Sequence, residues 1–161
     1  MSRKIFAGTL GALALAVATL GIAAPAASAA PAKLSHSEAT AKLEDAGIKW
    51  QSSGNCSDRD QPNCTSFEQV NEATIDGIID FKGSSDCALT LTGGTETGHA
   101  DGTHSHWNGY KVDFSPTSCT ADYIRGNFSE VDSPAWGSEQ WKDDSGNLYT
   151  LEGNHWDVTY Y

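Results

Sequence analysis

Four cysteines in a chain that begins like an exported protein are the strongest limit on what this sequence can fold into. Arg3 and Lys4 lead into an Ala- and Gly-rich apolar run over residues 5–22, and Ala27-Ser28-Ala29 follows Pro25 as a small-residue cleavage site. Basic, apolar, then small is the order of a secretory leader rather than of a membrane anchor, and cleavage is expected after Ala29. Export places the chain where thiols oxidise, so Cys56, Cys64, Cys87 and Cys119 are expected to form two disulfides. Three pairings are possible. The pairing expected is Cys56–Cys64, closing a short polar loop, with Cys87–Cys119 tying two element ends together. A cysteine-ligated zinc is disfavoured because no Cys-x-x-Cys spacing occurs. Residues 1–29 are thus read as the leader and 30–161 as one domain, long enough for a single modest core.

Removing the leader also removes Arg3 and Lys4, leaving 8 basic residues against all 21 acidic ones, a formal charge of −13. Such a surface does not bind nucleic acid through counterion release. Anionic cell-wall polymers would repel it as well, so action on a wall needs short-range recognition rather than steering by charge. No membrane association is expected after leader cleavage, and the domain is expected to be a monomer.

Coarse periodicity reads helices first and strands after. Ser35-His-Ser-Glu38 is a capping box that opens a helix through about Ala46, stopped by Gly47, with His36 in its first turn as a structural or solvated side chain. A second helix is expected to start at Thr65, boxed with Glu68, and to bury Phe67, Val70, Thr74, Ile78 and Phe81, with Ile75 and Ile79 widening the stripe. Residues 87–92 alternate like a strand, and Gly93-Gly94 breaks it. Residues 119–128 suit a short helix. Pro134 and Gly137 mark a loop that holds Trp136, and strands near 140–142, 148–151 and 155–160 make a small antiparallel meander. Without a βαβ rhythm, the class is α+β, a small antiparallel sheet with helices packed on one side.

Residues 98–114 carry the chemistry. His99, His104 and His106 fall within them and Asp113 lies near their end, while His155 waits near the C-terminus. Neutral imidazole nitrogen and carboxylate oxygen both suit Zn²⁺, and a catalytic zinc uses three protein ligands while leaving one position open. His106 and Asp113 are seven apart with Gly109 between, and residues 110–114 alternate like a strand. A loop histidine and a strand aspartate can therefore converge on one ion. No serine lies in a Gly-x-Ser-x-Gly setting, and the cysteines are expected to be oxidised, so no nucleophilic side chain competes with this reading.

His106-Trp-Asn-Gly109-Tyr-Lys-Val-Asp113 resembles the His-x-x-Gly-x-Ala-x-Asp signature of the zinc D-alanyl-D-alanine peptidases. Glu152-Gly-Asn-His155-Trp156 resembles their Glu-x-x-His motif, in the family's order. The resemblance implies a hedgehog/DD-peptidase fold, one Zn²⁺ held by His106, Asp113 and His155, and Glu152 as general base. It implies hydrolysis of peptidoglycan stem peptides, as a D,D-carboxypeptidase or an endopeptidase. His99, His104, Lys111, Trp107 and Trp156 are the residues placed to contact substrate, although His99 and His104 read first as loop residues bonding the backbone. Lys111 replaces the signature's alanine, His104 replaces a serine, and residues 92–97 lack the arginine that the family carries upstream. A second class stays open: a non-catalytic secreted module, binding metal or wall, or inhibiting a protease.

Overall fold

The structure, a computed structural model, describes residue 1 and residues 30–133 and 138–161. The expected leader beyond Met1 and the loop marked by Pro134, Trp136 and Gly137 lie outside the described residues. In chain order the elements are β1 (Lys33–Leu34), α1 (His36–Asp45), β2 (Lys49–Trp50), β3 (Val70–Asn71), α2 (Glu72–Ser85), β4 (Thr90–Gly93) and β5 (Lys111–Phe114). There follow α3 (Ser118–Asn127), β6 (Ser129–Val131), β7 (Glu139–Lys142), β8 (Leu148–Glu152) and β9 (His155–Thr159). β1 and β3 form a small antiparallel pair, and the other seven strands form one sheet in the order β2-β4-β5-β9-β8-β7-β6.

The class is α+β, but the sheet corrects the small antiparallel one expected. It has seven strands and is mixed, because β2 joins β4 in parallel. The two-residue β2 is too short for alternation to reveal. It is held by the N–H of Lys49 donating to Leu89 and that of Gln51 donating to Leu91.

α1 begins as its capping box requires. The Ser35 hydroxyl accepts from the Glu38 N–H while the Glu38 carboxylate accepts from the Ser35 N–H. α2 begins at Glu72, seven residues later than the apolar stripe suggests. Phe67 and Val70 are buried as expected, but from a loop and from β3. Thr65 and Glu68 find other partners: the Thr65 hydroxyl lies at 2.9 Å from the Gln51 carbonyl, and Glu68 accepts from the His36 N–H. His36 is structural, stacking on Phe67 and accepting its N–H through Nδ1.

Alternation along β5, β8 and β9 sorts side chains to two faces. Val112, Phe114, Tyr149, Trp156 and Val158 enter a core shared with Leu43 of α1, Ile75, Ile78 and Phe81 of α2, and Ile124 of α3. Trp156 and Phe114 face each other across the β5–β9 pair, both fully buried. Their strand neighbours Lys111, Asp113, His155, Asp157, Thr150 and Glu152 line a cavity on the opposite face. The core face is the anvil against which the polar face is held in register.

Both expected disulfides are present, Cys56–Cys64 and Cys87–Cys119, and no free cysteine remains among the described residues. The second ties the segment before β4 to the first turn of α3. No described helix is long and apolar enough to cross a membrane, which with the two disulfides is compatible with an exported chain. Loop-closure entropy grows with ring size, so opening Cys87–Cys119 should cost about 4 kcal/mol and opening Cys56–Cys64 about 2.5 kcal/mol. Urea unfolding of the paired Cys→Ser variants checks this; equal losses would show that ring size does not govern the ranking.

Candidate metal centre

Three backbone features bring the histidine segment to the polar face. β4 ends at Gly93, opposite Asp113, where any Cβ would collide with the Asp113 carboxylate. The chain then leaves the sheet and returns through Gly109, at φ +79°, where a Cβ would stand 2.6 Å from the Gln69 carbonyl. Only glycine meets both demands there. Asp113 follows on β5, and the Gly153–Asn154 turn sets His155 directly across from Glu152.

His106 is almost wholly buried and its ring is oriented from behind. Nδ1–H donates to the Gly94 carbonyl at 2.6 Å, which points Nε2 at Asp113 Oδ1 (3.3 Å) and Asp157 Oδ2 (3.2 Å). Burial by itself pushes the His106 pKa down, but the two carboxylates override it and hold the imidazole protonated up to about 10. Asp157 also accepts from Lys111 Nζ at 2.9 Å on each oxygen. Burial raises its pKa, and His106 and Lys111 together bring it below the ordinary value.

His99 stacks on His106 with ring centroids 3.7 Å apart. Its Nε2 lies 3.2 Å from Glu96 Oε1, and its Nδ1 lies 3.8 Å from Asp113 Oδ2. Glu96 is itself buried and pinned, accepting from the N–H groups of Ser66 and Gly94. His155 Nε2 stands 3.9 Å from Asp113 Oδ2 and 3.8 Å from Glu152 Oε2. Three imidazole nitrogens therefore surround one carboxylate.

This donor set fits a metal ion. One ligand atom each from His99, His106 and Asp113 lies within 4.8 Å of the others. Asp113 is only 5% exposed, and among the described residues its Oδ1 accepts no well-formed hydrogen bond, only the 3.3 Å ion-pair contact of His106 Nε2, whose hydrogen bond goes to Asp157. A buried acceptor left without a donor is costly unless something else occupies its lone pairs. Ligand atoms about 2.0–2.1 Å from a tetrahedral zinc stand roughly 3.3 Å from one another; the 3.3–3.9 Å distances to the two Asp113 oxygens are close to that spacing, and the spread of up to 4.8 Å within the donor group would have to contract around the ion. The backing of His106 by a carbonyl and of His99 by a carboxylate is the outer-shell arrangement that orients ligating histidines.

Of the residues singled out from sequence, His106, Asp113, His155 and Glu152 meet at one cavity of about 540 Å³, together with His99, His104 and Lys111. His155 reaches Asp113, but the mutually close donor group is completed by His99 instead. His104 stacks edge-on against Tyr110 and Tyr161 at the cavity wall. Lys111 does not project freely; it is held by Asp157. Trp107 is 42% exposed and lines a neighbouring pocket with Glu96 and His99. Trp156 is fully buried on the core face of β9, so it packs beneath the site and cannot touch a ligand in the cavity. Asp157 and Glu96 went unnoticed in the sequence. Asp157 could have been found two residues beyond His155, where strand alternation returns to the same face.

No protein-family model matches this chain, and no curated protein or solved structure matches it.

The buried imidazolium has a measurable consequence in metal-free protein. Its pKa is raised from 6.5 to about 10, so its contribution to stability is complete below pH 6.5, declines as pH rises, and is gone above about 10. In chelator-treated protein the His106 ring resonances should titrate far above the ordinary histidine range. An NMR titration placing them near 6.5 would show that the two carboxylates do not hold the proton.

Proposed function

We propose that this chain is a secreted zinc-dependent peptidase that hydrolyses peptidoglycan stem peptides, with the hedgehog/DD-peptidase fold. The observation that carries the reading is the buried Asp113 carboxylate, whose Oδ1 is met only by the ion-pair contact of His106, set among His99, His106 and His155 beside the half-exposed Glu152. The two motifs that resemble the zinc D-alanyl-D-alanine peptidases supply His106, Asp113, His155 and Glu152, while His99 lies outside them. The cavity volume falls in the range that holds small ligands or a peptide end. The leader and the acidic balance support action outside the cell without nucleic acid, and the domain is expected to act as a monomer.

His106, Asp113 and His155 would hold the zinc, with His99 beside them. When bound there, zinc polarises a carbonyl and makes water more acidic. Glu152 is about half exposed at the cavity rim, and its Oε2 is 3.8 Å from His155. From that place its carboxylate can take a proton from water and return it to the departing amine. Asp157 holds His106 from the side and Lys111 balances its charge. Glu96 fixes the ring of His99.

A second reading, a metal-binding module without catalysis, is favoured by His99 itself. With His99 added to His106, Asp113 and His155, four protein side chains would close the coordination sphere, as in structural zinc sites. Glu152→Gln separates the two readings. In a peptidase this change leaves zinc content intact and slows release of D-alanine or cleaved stem peptide about 10²–10⁴-fold, whereas His155→Ala lowers zinc and activity together. Undiminished hydrolysis by Glu152→Gln removes it as the base. Zinc-loaded wild type inactive on several peptidoglycan types selects the module.

A further inference from the structure

The histidine segment is held at both ends by a part of the chain that contributes no metal donor. Arg59 lies within the small ring closed by Cys56–Cys64. Its Nε–H donates to the Thr95 carbonyl at 3.2 Å, and Nη2 donates to the Trp107 carbonyl. The guanidinium also lies over the Trp107 ring, 3.6 Å from its centroid. In return the Thr97 N–H donates to the Arg59 carbonyl at 2.9 Å. Pro62, in the same ring, presses on Gly98, where a Cβ would stand 2.9 Å from the proline Cβ. Thr95 and Trp107 bracket His99 and His106. One guanidinium therefore spans the two ends of the segment that carries both imidazoles.

We propose that the Cys56–Cys64 ring is the positioning element of the metal centre and Arg59 its positioning residue, so that metal affinity depends on this disulfide being closed. Residues 94–109 contain no strand or helix to fix them. Ordering each residue of such a segment costs conformational entropy. Where a clamp has already ordered it, metal binding does not bear that cost; without the clamp the cost reduces affinity. Arginine suits the task because its planar fork donates to two carbonyls while its face stacks on the indole, which a lysine ammonium cannot do. Coulomb's law alone gives the opposite sign: removing a cation near a cation site should tighten metal binding. The direction of change thus distinguishes positioning from simple charge.

The inference rests on the metal-centre reading but not on peptidase activity. The test measures Zn²⁺ affinity by competition with a chromophoric chelator, together with the visible spectrum of the Co²⁺-loaded whole chain and the melting temperature. Arg59→Ala, Arg59→Lys and the Cys56→Ser/Cys64→Ser pair should each bind Zn²⁺ roughly 10- to 100-fold more weakly, the scale set by loss of outer-shell support. Their Co²⁺ spectra should shift as the ligand geometry loosens. The Cys87→Ser/Cys119→Ser pair should melt at a lower temperature than the Cys56→Ser/Cys64→Ser pair yet keep wild-type affinity. If that control does not fold, Arg59→Lys against wild type decides alone. Arg59 variants that bind Zn²⁺ as tightly as wild type, or more tightly, overturn the proposal. Affinities that follow melting temperature across all variants overturn it too, because they mark a merely structural role. A wild type that binds no Zn²⁺ is a different result and overturns the metal centre itself.

Discussion

The pairing of β5 with β9 sets Asp113 directly opposite Asp157, and much of the molecule answers to that register. Both carboxylates are nearly buried, at 5% and 6% exposure. Like charges facing each other across an antiparallel pair repel, and burial removes the water that would screen them. Cations must therefore be supplied from the protein or from outside it. Lys111 comes from the same face of β5 and takes Asp157. The His106 imidazole, brought over by the returning loop, lies between the two acids and is protonated in their field. A divalent ion would meet the same electrostatic demand at Asp113 more fully, since His106 Nε2 gives its hydrogen bond to Asp157 and reaches Asp113 Oδ1 only as an ion-pair contact at 3.3 Å.

This arrangement is affordable only because the other face of the same strands is packed. Trp156 sits between His155 and Asp157 in sequence and points into the core, as Val112 and Phe114 do on either side of Asp113. Sliding the β5–β9 register by one residue would send carboxylates into the core and Trp156 into the cavity. The aromatic contacts of Phe81 with Phe114, Tyr149 and Phe128 hold α2 against that face. Site geometry and core packing are thus one constraint read from two sides of the sheet.

Much of this was legible in the chain. The capping box at Ser35, the short helix expected over 119–128 and the terminal meander follow from local patterns that tertiary contacts did not override, and the disulfide pairing favoured among three is the one present. The start of α2 did not follow, because Phe67 and Val70 mimic a helical period while being buried from a loop and from β3. The width of the sheet escaped as well. β2 and β6 span two and three residues, too few for alternation to register, and a parallel partner cannot be inferred from so short a segment.

Within the site, the sequence alone showed that His106 and Asp113 can converge, since a glycine-turned loop runs straight into the strand that carries the aspartate, and they meet at 3.3 Å. It also placed Glu152 beside His155, because a two-residue turn puts them across from each other. Tertiary structure decided the rest. That His99 joins the donor group depends on Glu96, which is pinned by the N–H of Ser66 from a distant loop. That Lys111 pairs with Asp157 depends on residues 46 apart being brought together, and that Arg59 spans Thr95 and Trp107 depends on residues 36 and 48 apart. Local spacing encodes what neighbours along the chain must do. Contacts between remote segments arise only when burial and hydrogen bonding are satisfied across the whole fold.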